Sequence, residues 1–99
     1  MLTLEEAKTL AIDHVRGGRS RDELAVIDDA TVATRYGWIL YVNSRAYVAS
    51  RDPFEMLVGL GPIIVRHTGN VEVLPSGVPP EESIAAYERK HWLATALGR

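Results

Sequence analysis

The first part of the chain carries apolar residues at three- and four-residue intervals, which is the period of one helix face. The residues on this stripe are Leu4, Ala7, Leu10, Ala11 and Val15. Thr3 and Glu6 stand at the spacing of a capping box, in which each side chain accepts a backbone N–H that the helix start leaves unpaired. Gly17-Gly18 can adopt the left-handed backbone conformation that commonly ends a helix. The pattern therefore predicts an amphipathic helix between Thr3 and Gly17.

The centre of the chain changes to branched and aromatic residues, which favour extended structure. Residues 24–27 and 31–34 predict one bent strand or two, and Tyr36-Gly37 supplies a tight turn into a strand at residues 38–43. These segments are expected to form an antiparallel hairpin. The strand at residues 38–43 is apolar on both sides, so the sheet face opposite the helices is expected to be a contact surface.

Residues 44–61 lose this periodicity, and they predict a connection longer than an ordinary hairpin loop. Long ordered loops often carry function, so this segment is a candidate site. A strand is predicted at residues 62–65. A turn at residues 68–70 then leads into a strand at residues 71–74, which completes a second hairpin.

A closing helix is predicted after Pro79-Pro80, because proline is tolerated in the first helical turn. At 100° per residue, two stripes lie on nearly opposite faces of this helix. One stripe is Ile84, Tyr87 and His91, and the other is Ala86, Leu93 and Leu97. Two alternatives follow. Either the helix breaks near Lys90, or the second stripe packs elsewhere, as in a homodimer through the C-terminal helix.

Together these elements predict one α+β domain over residues 1–99. The expected order is a helix, a four-stranded mainly antiparallel sheet built from two hairpins, and a C-terminal helix. A two-layer sandwich is expected, with both helices on one face of the sheet. A chain of 99 residues is long enough to bury one apolar core but not two.

Composition narrows the class of protein. Apolar residues make up 46% of the chain and charged residues 24%, which is typical of folded globular domains. The net charge of −2 gives no basic footprint for nucleic acid or for an anionic membrane, so neither partner is expected. The absence of cysteine excludes disulfides and thiolate sites. An acidic start and the lack of a long apolar run predict a cytoplasmic protein.

Residue types that carry catalysis are present, but not at the spacings that catalysis needs. His14, His67 and His91 have no partner at metal-ligand or triad spacing, so neither a metal nor a cofactor is expected. His14 is predicted to lie within the apolar face of the first helix as a packing residue. The adjacent carboxylates of Asp28-Asp29 point apart, so they do not converge on one substrate atom. No catalytic residue is therefore predicted.

Several short motifs occur in an order and spacing that resemble one known family. They are residues 24–28, Gly37-Trp38, Asn43-Ser44, Tyr47, Leu57 with Gly59, residues 61–65, Thr68-Gly69, and Pro79 with Glu81, Ile84 and Tyr87-Glu88. Across nearly the whole chain the arrangement is similar to the immunity protein 35 family. The resemblance implies a small bacterial domain that protects the producing cell by binding a polymorphic toxin encoded beside it. It implies no catalysis.

The leading hypothesis is therefore a toxin-neutralising binding protein, not an enzyme, whose partner is a cognate toxin domain. Its contact surface is expected on the loop at residues 44–60 and on neighbouring strand ends, because aromatic and arginine side chains dominate interface energetics. The candidate residues are Trp38, Tyr41, Asn43, Tyr47, Arg51, Asp52 and Phe54. For Trp38, a packing role in its strand is preferred over an exposed anchor.

Two alternatives of other classes remain open on the sequence alone. A chaperone-like or scaffold protein would bind apolar segments through the open sheet face and the second stripe of the last helix. A small enzyme would use His14 or His67 together with a carboxylate.

Overall fold

The first and last helices begin close to their sequence signals, at Thr3 and at Pro79-Pro80. The computed structural model describes the backbone of residues 2–93 and the side chains of residues 2–91. Helix α1 spans Leu4–Val15, α2 spans Arg45–Ser50, and α3 spans Pro80–Glu88. A π-helical turn, Arg89–Leu93, follows α3. Within these residues, no helix has the length and apolar content that a membrane span requires.

The end of α3 bears on the first of the two alternatives for the last helix. Its α-helical geometry stops at Glu88, which agrees with a break near Lys90. Tyr87 is buried on the first stripe, while Ala86 is exposed on the second. Leu97 and the side chains of Trp92 and Leu93 lie outside the described residues, so a dimer contact through them stays a prediction.

In the described residues, six short strands form two antiparallel sheets. The strands are β1 (Leu24–Val26), β2 (Val32–Thr34), β3 (Gly37–Leu40), β4 (Val42–Ser44), β5 (Ile63–Arg66) and β6 (Val71–Val73). The larger sheet has the order β2-β3-β5-β6, and β1 pairs with β4 in the smaller one. The α+β class and the two predicted hairpins, β2 with β3 and β5 with β6, are confirmed.

The predicted capping box at the start of α1 is present. Thr3 Oγ1 accepts the N–H of Glu6 at 3.1 Å, and the Glu6 carboxylate accepts the N–H of Thr3 at 2.8 Å. The bond from the Thr3 backbone is the main cause of a lowered pKa at Glu6. The prediction for His14 is wrong, because His14 is exposed. It lies in the last turn of α1, where the negative end of the helix dipole favours a basic group in water.

The single strand predicted at residues 38–43 is wrong, because two strands occupy this segment. β3 pairs with β2 and β5, whereas β4 pairs with β1. Tyr41 separates them, and its carbonyl accepts the N–H of Ile27 at 2.8 Å. The chain thus keeps a backbone hydrogen bond while it crosses from one sheet to the other.

Helix α1 covers one face of the larger sheet. Side chains alternate between the two faces along a strand. Leu40, Ile63 and Val65 are almost fully buried on the face that packs against Ala7 and Ala11 of α1. This is the main core of the protein.

Helix α3 covers the opposite face. Ile39 and Ile64 pack there with Leu74 and with Ile84 and Tyr87 of α3. The expectation that both helices lie on one sheet face in two layers is therefore wrong, and so is the expectation of an open apolar face. β3 and β5 are apolar at successive positions, which requires a cover on both sides.

Residues 44–61 are more ordered than the sequence predicts. Helix α2 occupies the first part, and a 3-10 turn, Pro53–Glu55, follows it. Ser44 begins α2, since its Oγ accepts the N–H of Tyr47 at 3.0 Å. A helix of six residues contains fewer than two turns, which is too few for a clear hydrophobic period.

Candidate partner-binding site

Phe54 is the most exposed large apolar residue in the described part of the chain. It is 98% exposed at the centre of the turn Pro53–Glu55. Val58, 83% exposed, and Met56, 42% exposed, extend the apolar surface along the same segment. We call residues 51–58 the Phe54 loop. Burying a Phe side chain gains about 1.5–3 kcal/mol, and the isolated chain leaves this gain for a contact with another molecule.

Short-range hydrogen bonds set the path of the Phe54 loop. Arg51 adopts the left-handed conformation (φ 59°) that ends α2, and its N–H donates to the Tyr47 carbonyl at 2.6 Å. Asp52 Oδ1 accepts the N–H of Phe54 at 3.0 Å. Pro53 opens the 3-10 turn with a fixed φ. Phe54 is therefore held outward by local geometry.

Two side chains of β4 fasten the far part of the loop. Asn43, 7% exposed, donates from Nδ2 to the Leu57 carbonyl at 3.0 Å, and its Oδ1 accepts the Leu57 N–H at 2.8 Å. Ser44 Oγ donates to the Glu55 carbonyl at 2.6 Å. The Leu57 side chain packs against the main core. The loop is therefore preorganised, so a partner does not have to order it on binding.

The charged groups beside Phe54 are mainly acidic. Asp52 and Glu55 flank it, and neither forms an ion pair with any residue in the described range. Arg51 directs Nη2 to Asp29 at 3.2 Å and Nε to the Val48 carbonyl at 3.2 Å, so its charge is paired within the chain. The Phe54 loop thus presents an apolar tip between two carboxylates.

Four of the seven predicted contact residues lie together on or beside this loop. Arg51, Asp52 and Phe54 belong to it, and Tyr47 is half-buried on α2. Their contact with a partner stays a prediction.

The other three predicted contact residues lie in packed surroundings. Trp38 is half-buried against the main core, and its ring meets the His67 ring edge to face at a centroid distance of 4.9 Å, so the preferred packing role is confirmed. Tyr41 packs on the α3 side, where burial raises its pKa. Asn43 is buried and holds the loop. None of the three side chains is largely exposed.

The sequence prediction omitted two exposed residues and the contact that fastens the loop. Phe54, Met56 and Val58 stand at alternate positions in a segment that lacks the hydrophobic period of a core helix or strand. This alternation is the sequence signal that could have added Met56 and Val58 to the predicted contact residues. The bonds between Asn43 and Leu57 join positions 14 residues apart, and no local pattern encodes them.

A polar cluster lies where α3 meets the sheet. Tyr36 OH donates to a Glu88 carboxylate oxygen at 2.8 Å, and burial is the main cause of a raised pKa at Tyr36. Arg66 Nε donates to the Tyr87 hydroxyl at 2.6 Å. These bonds tie α3 to the sheet. Within the residues that the structure describes, no group of three potential metal ligands occurs.

Comparison with known protein families gives a match over nearly the whole chain. The sequence model of a family described as immunity protein 35 matches residues 5–95. No curated protein and no solved structure matches the chain.

Proposed function

Because the chain belongs to the immunity protein 35 family, we propose that it neutralises a cognate bacterial polymorphic toxin by binding the toxin protein directly. The observation that carries the proposal is Phe54, a 98% exposed aromatic residue on a loop that the fold holds in place. Exposed aromatic anchors of this kind dominate the energetics of protein interfaces. The contact surface in this proposal is the Phe54 loop together with α2.

Neutralisation in this proposal needs no chemical step. The immunity protein covers a surface of the toxin, and the complex lasts as long as the dissociation rate allows. A preformed loop favours a long-lived complex, because little conformational entropy is lost when it binds. The protein therefore acts in a fixed ratio to the toxin and is not a catalyst.

One of the two features that motivated the chaperone-like alternative is not present in the fold. It required an open apolar face on the strand at residues 38–43, and α3 covers that face through Ile84 and Tyr87. The two most exposed large apolar side chains of the described residues, Phe54 and Val58, lie together on one short loop, and this arrangement favours one specific partner over many apolar segments.

The test is co-expression with the toxin encoded by the adjacent gene. Cells that carry the toxin alone should stop growing, and cells that also carry this protein should grow normally. The purified proteins should elute as one complex of fixed stoichiometry. A toxin from an unrelated system is the control and should kill in both cases. Equal killing by the cognate toxin with and without this protein would overturn the proposal.

A further inference from the structure

We infer that the Phe54 loop is a preformed plug, and that it fits an apolar pocket on the toxin whose rim carries basic side chains. The inference rests on the proposed function and specifies the chemistry of the toxin surface. It makes Phe54 the central anchor, with Met56 and Val58 beside it and with the carboxylates of Asp52 and Glu55 at its edge.

The shape of the loop indicates a pocket on the partner and not a flat surface. Phe54 projects from the middle of a 3-10 turn that is bonded on both sides, at Asp52 before it and at Glu55 after it. Its 98% exposure means that almost no atom of the same chain covers the ring. A projecting ring is buried only by a concavity, and aromatic anchors in desolvated pockets are the usual centres of interface energy.

The charge around the ring specifies the edge of that pocket. Asp52 and Glu55 are exposed, and within the described range neither has an ion-pair partner. The nearest cation in the sequence, Arg51, is already paired with Asp29. A complementary surface therefore places lysine or arginine side chains opposite the two carboxylates, which speeds association more than it strengthens the final complex.

The same charges disfavour two other partners of the Phe54 loop, a second copy of this chain and an anionic membrane. In a two-fold dimer centred on Phe54, Asp52 and Glu55 of both copies meet each other, because such an interface uses the same patch on each subunit. An anionic membrane repels the carboxylates in the same way, whereas loops that insert into membranes usually carry lysine or arginine. A protein partner with a basic rim meets neither problem.

The experiment measures binding to the purified protein encoded by the adjacent gene, in a form without toxic activity. Phe54→Ala should weaken binding about 30-fold or more, the size typical of a central anchor. Val58→Ser should weaken it several-fold, while Val78→Ser, an exposed valine outside the loop, should leave it unchanged. Glu55→Gln should slow association and reduce its salt dependence, and the matched change Glu72→Gln should do neither.

Each other outcome has a definite meaning. If Phe54→Ala binds as tightly as the wild-type protein, the plug and the contact surface proposed on the Phe54 loop are both wrong, while neutralisation by direct binding stands through another surface. If the wild-type protein does not bind this probe, the proposed function fails and the inference fails with it. The wild-type protein is also tested for dimerisation with rising concentration and for binding to phosphatidylserine vesicles. If it shows either behaviour and Phe54→Ala abolishes it, the Phe54 loop binds a second copy or a membrane, and its assignment to a toxin pocket is wrong. Phe54→Ala should keep the thermal midpoint of the wild-type protein, because the ring makes no core contact.

Discussion

The side chain of Asn43 pairs with the backbone of Leu57 in the manner of a neighbouring strand. Nδ2 donates to the Leu57 carbonyl at 3.0 Å, and Oδ1 accepts the Leu57 N–H at 2.8 Å. One amide side chain thereby satisfies both backbone groups of a residue in an irregular segment. The Phe54 loop returns to the protein at this point, so the position of its apolar tip depends on a buried residue of β4.

Asn43→Ala should destabilise the fold. The substitution leaves the N–H and carbonyl of Leu57 without their partner in a partly buried site. An unsatisfied buried group costs about 1–3 kcal/mol, and this range sets the upper limit of the expected loss in the free energy of unfolding. Urea denaturation followed by circular dichroism measures the loss. Asn70→Ala is the matched control, because Asn70 is exposed, and its effect should stay within about 0.5 kcal/mol. Equal stabilities of the two variants would contradict the role of Asn43.

Gly37→Ala should be among the most destabilising substitutions in the sheet. Gly37 has φ 150°, and a Cβ atom there would lie 2.0 Å from the carbonyl oxygen of Val65 on the paired strand β5. The clash is with backbone, so β3 and β5 must separate, and the expected loss is about 3 kcal/mol or more. Gly18→Ala meets no atom within 4 Å, and its thermal midpoint should match the wild-type value.

Elements that are encoded by neighbouring residues could be predicted from the sequence. Thr3 and Glu6 form the capping box across three residues, and Gly37 marks the turn between two paired strands. Pro80 begins the last helix because a missing N–H costs nothing in its first turn. The capping box, the turn and the helix start each involve residues within a few positions of one another, so these patterns are visible without the fold.

Features that depend on distant parts of the chain could not be predicted in the same way. Ile39 and Ile64 showed that the central strands are apolar on both sides, but not which element covers the second side. The contact between Asn43 and Leu57 depends on β4 pairing with β1 and not with the larger sheet. The sequence identifies Phe54 only as an aromatic residue in a predicted loop, and its near-complete exposure follows from the turn around it.

The ion pair between Asp13 and Arg21 should contribute stability that acid removes. Arg21 binds the Asp13 carboxylate through two N–H groups, and its Nε–Oδ1 distance is 2.6 Å. These bonds hold the pKa of Asp13 below its ordinary value. The folded pKa is lower than the unfolded one, so the contribution is present at neutral pH and lost as pH falls through the folded pKa. In carboxyl NMR titrations, Arg21→Gln should raise the Asp13 midpoint, and Arg19→Gln should not.

Tyr36 should make the fold sensitive to alkali. Burial and the hydrogen bond to Glu88 raise its pKa in the folded state above the unfolded value. The folded state therefore favours the neutral phenol, and its contribution is present below about pH 10 and lost as pH rises further. The free energy of unfolding should fall above about pH 10, and it should fall less steeply in Tyr36→Phe. Equal slopes for the wild-type protein and Tyr36→Phe would show that this tyrosine does not link folding to pH.

Asn43 should affect toxin binding through Phe54, although its own side chain is buried. When Asn43→Ala frees Leu57, the loop becomes mobile, and binding then has to order it. In Asn43→Ala, amide hydrogen exchange should accelerate more at Leu57 than at Ile64 and Val65 of β5. The difference separates the local loss of the loop contact from the global loss of stability.

Affinities for the wild-type protein, Asn43→Ala, Phe54→Ala and the double variant form a cycle. If Asn43 acts by positioning Phe54, Asn43→Ala should reduce the binding free energy less in the Phe54→Ala background than in the wild-type protein. The expected coupling energy is about 0.5–3 kcal/mol. Additive losses in this cycle would mean that Asn43 supports the fold alone and does not position the anchor.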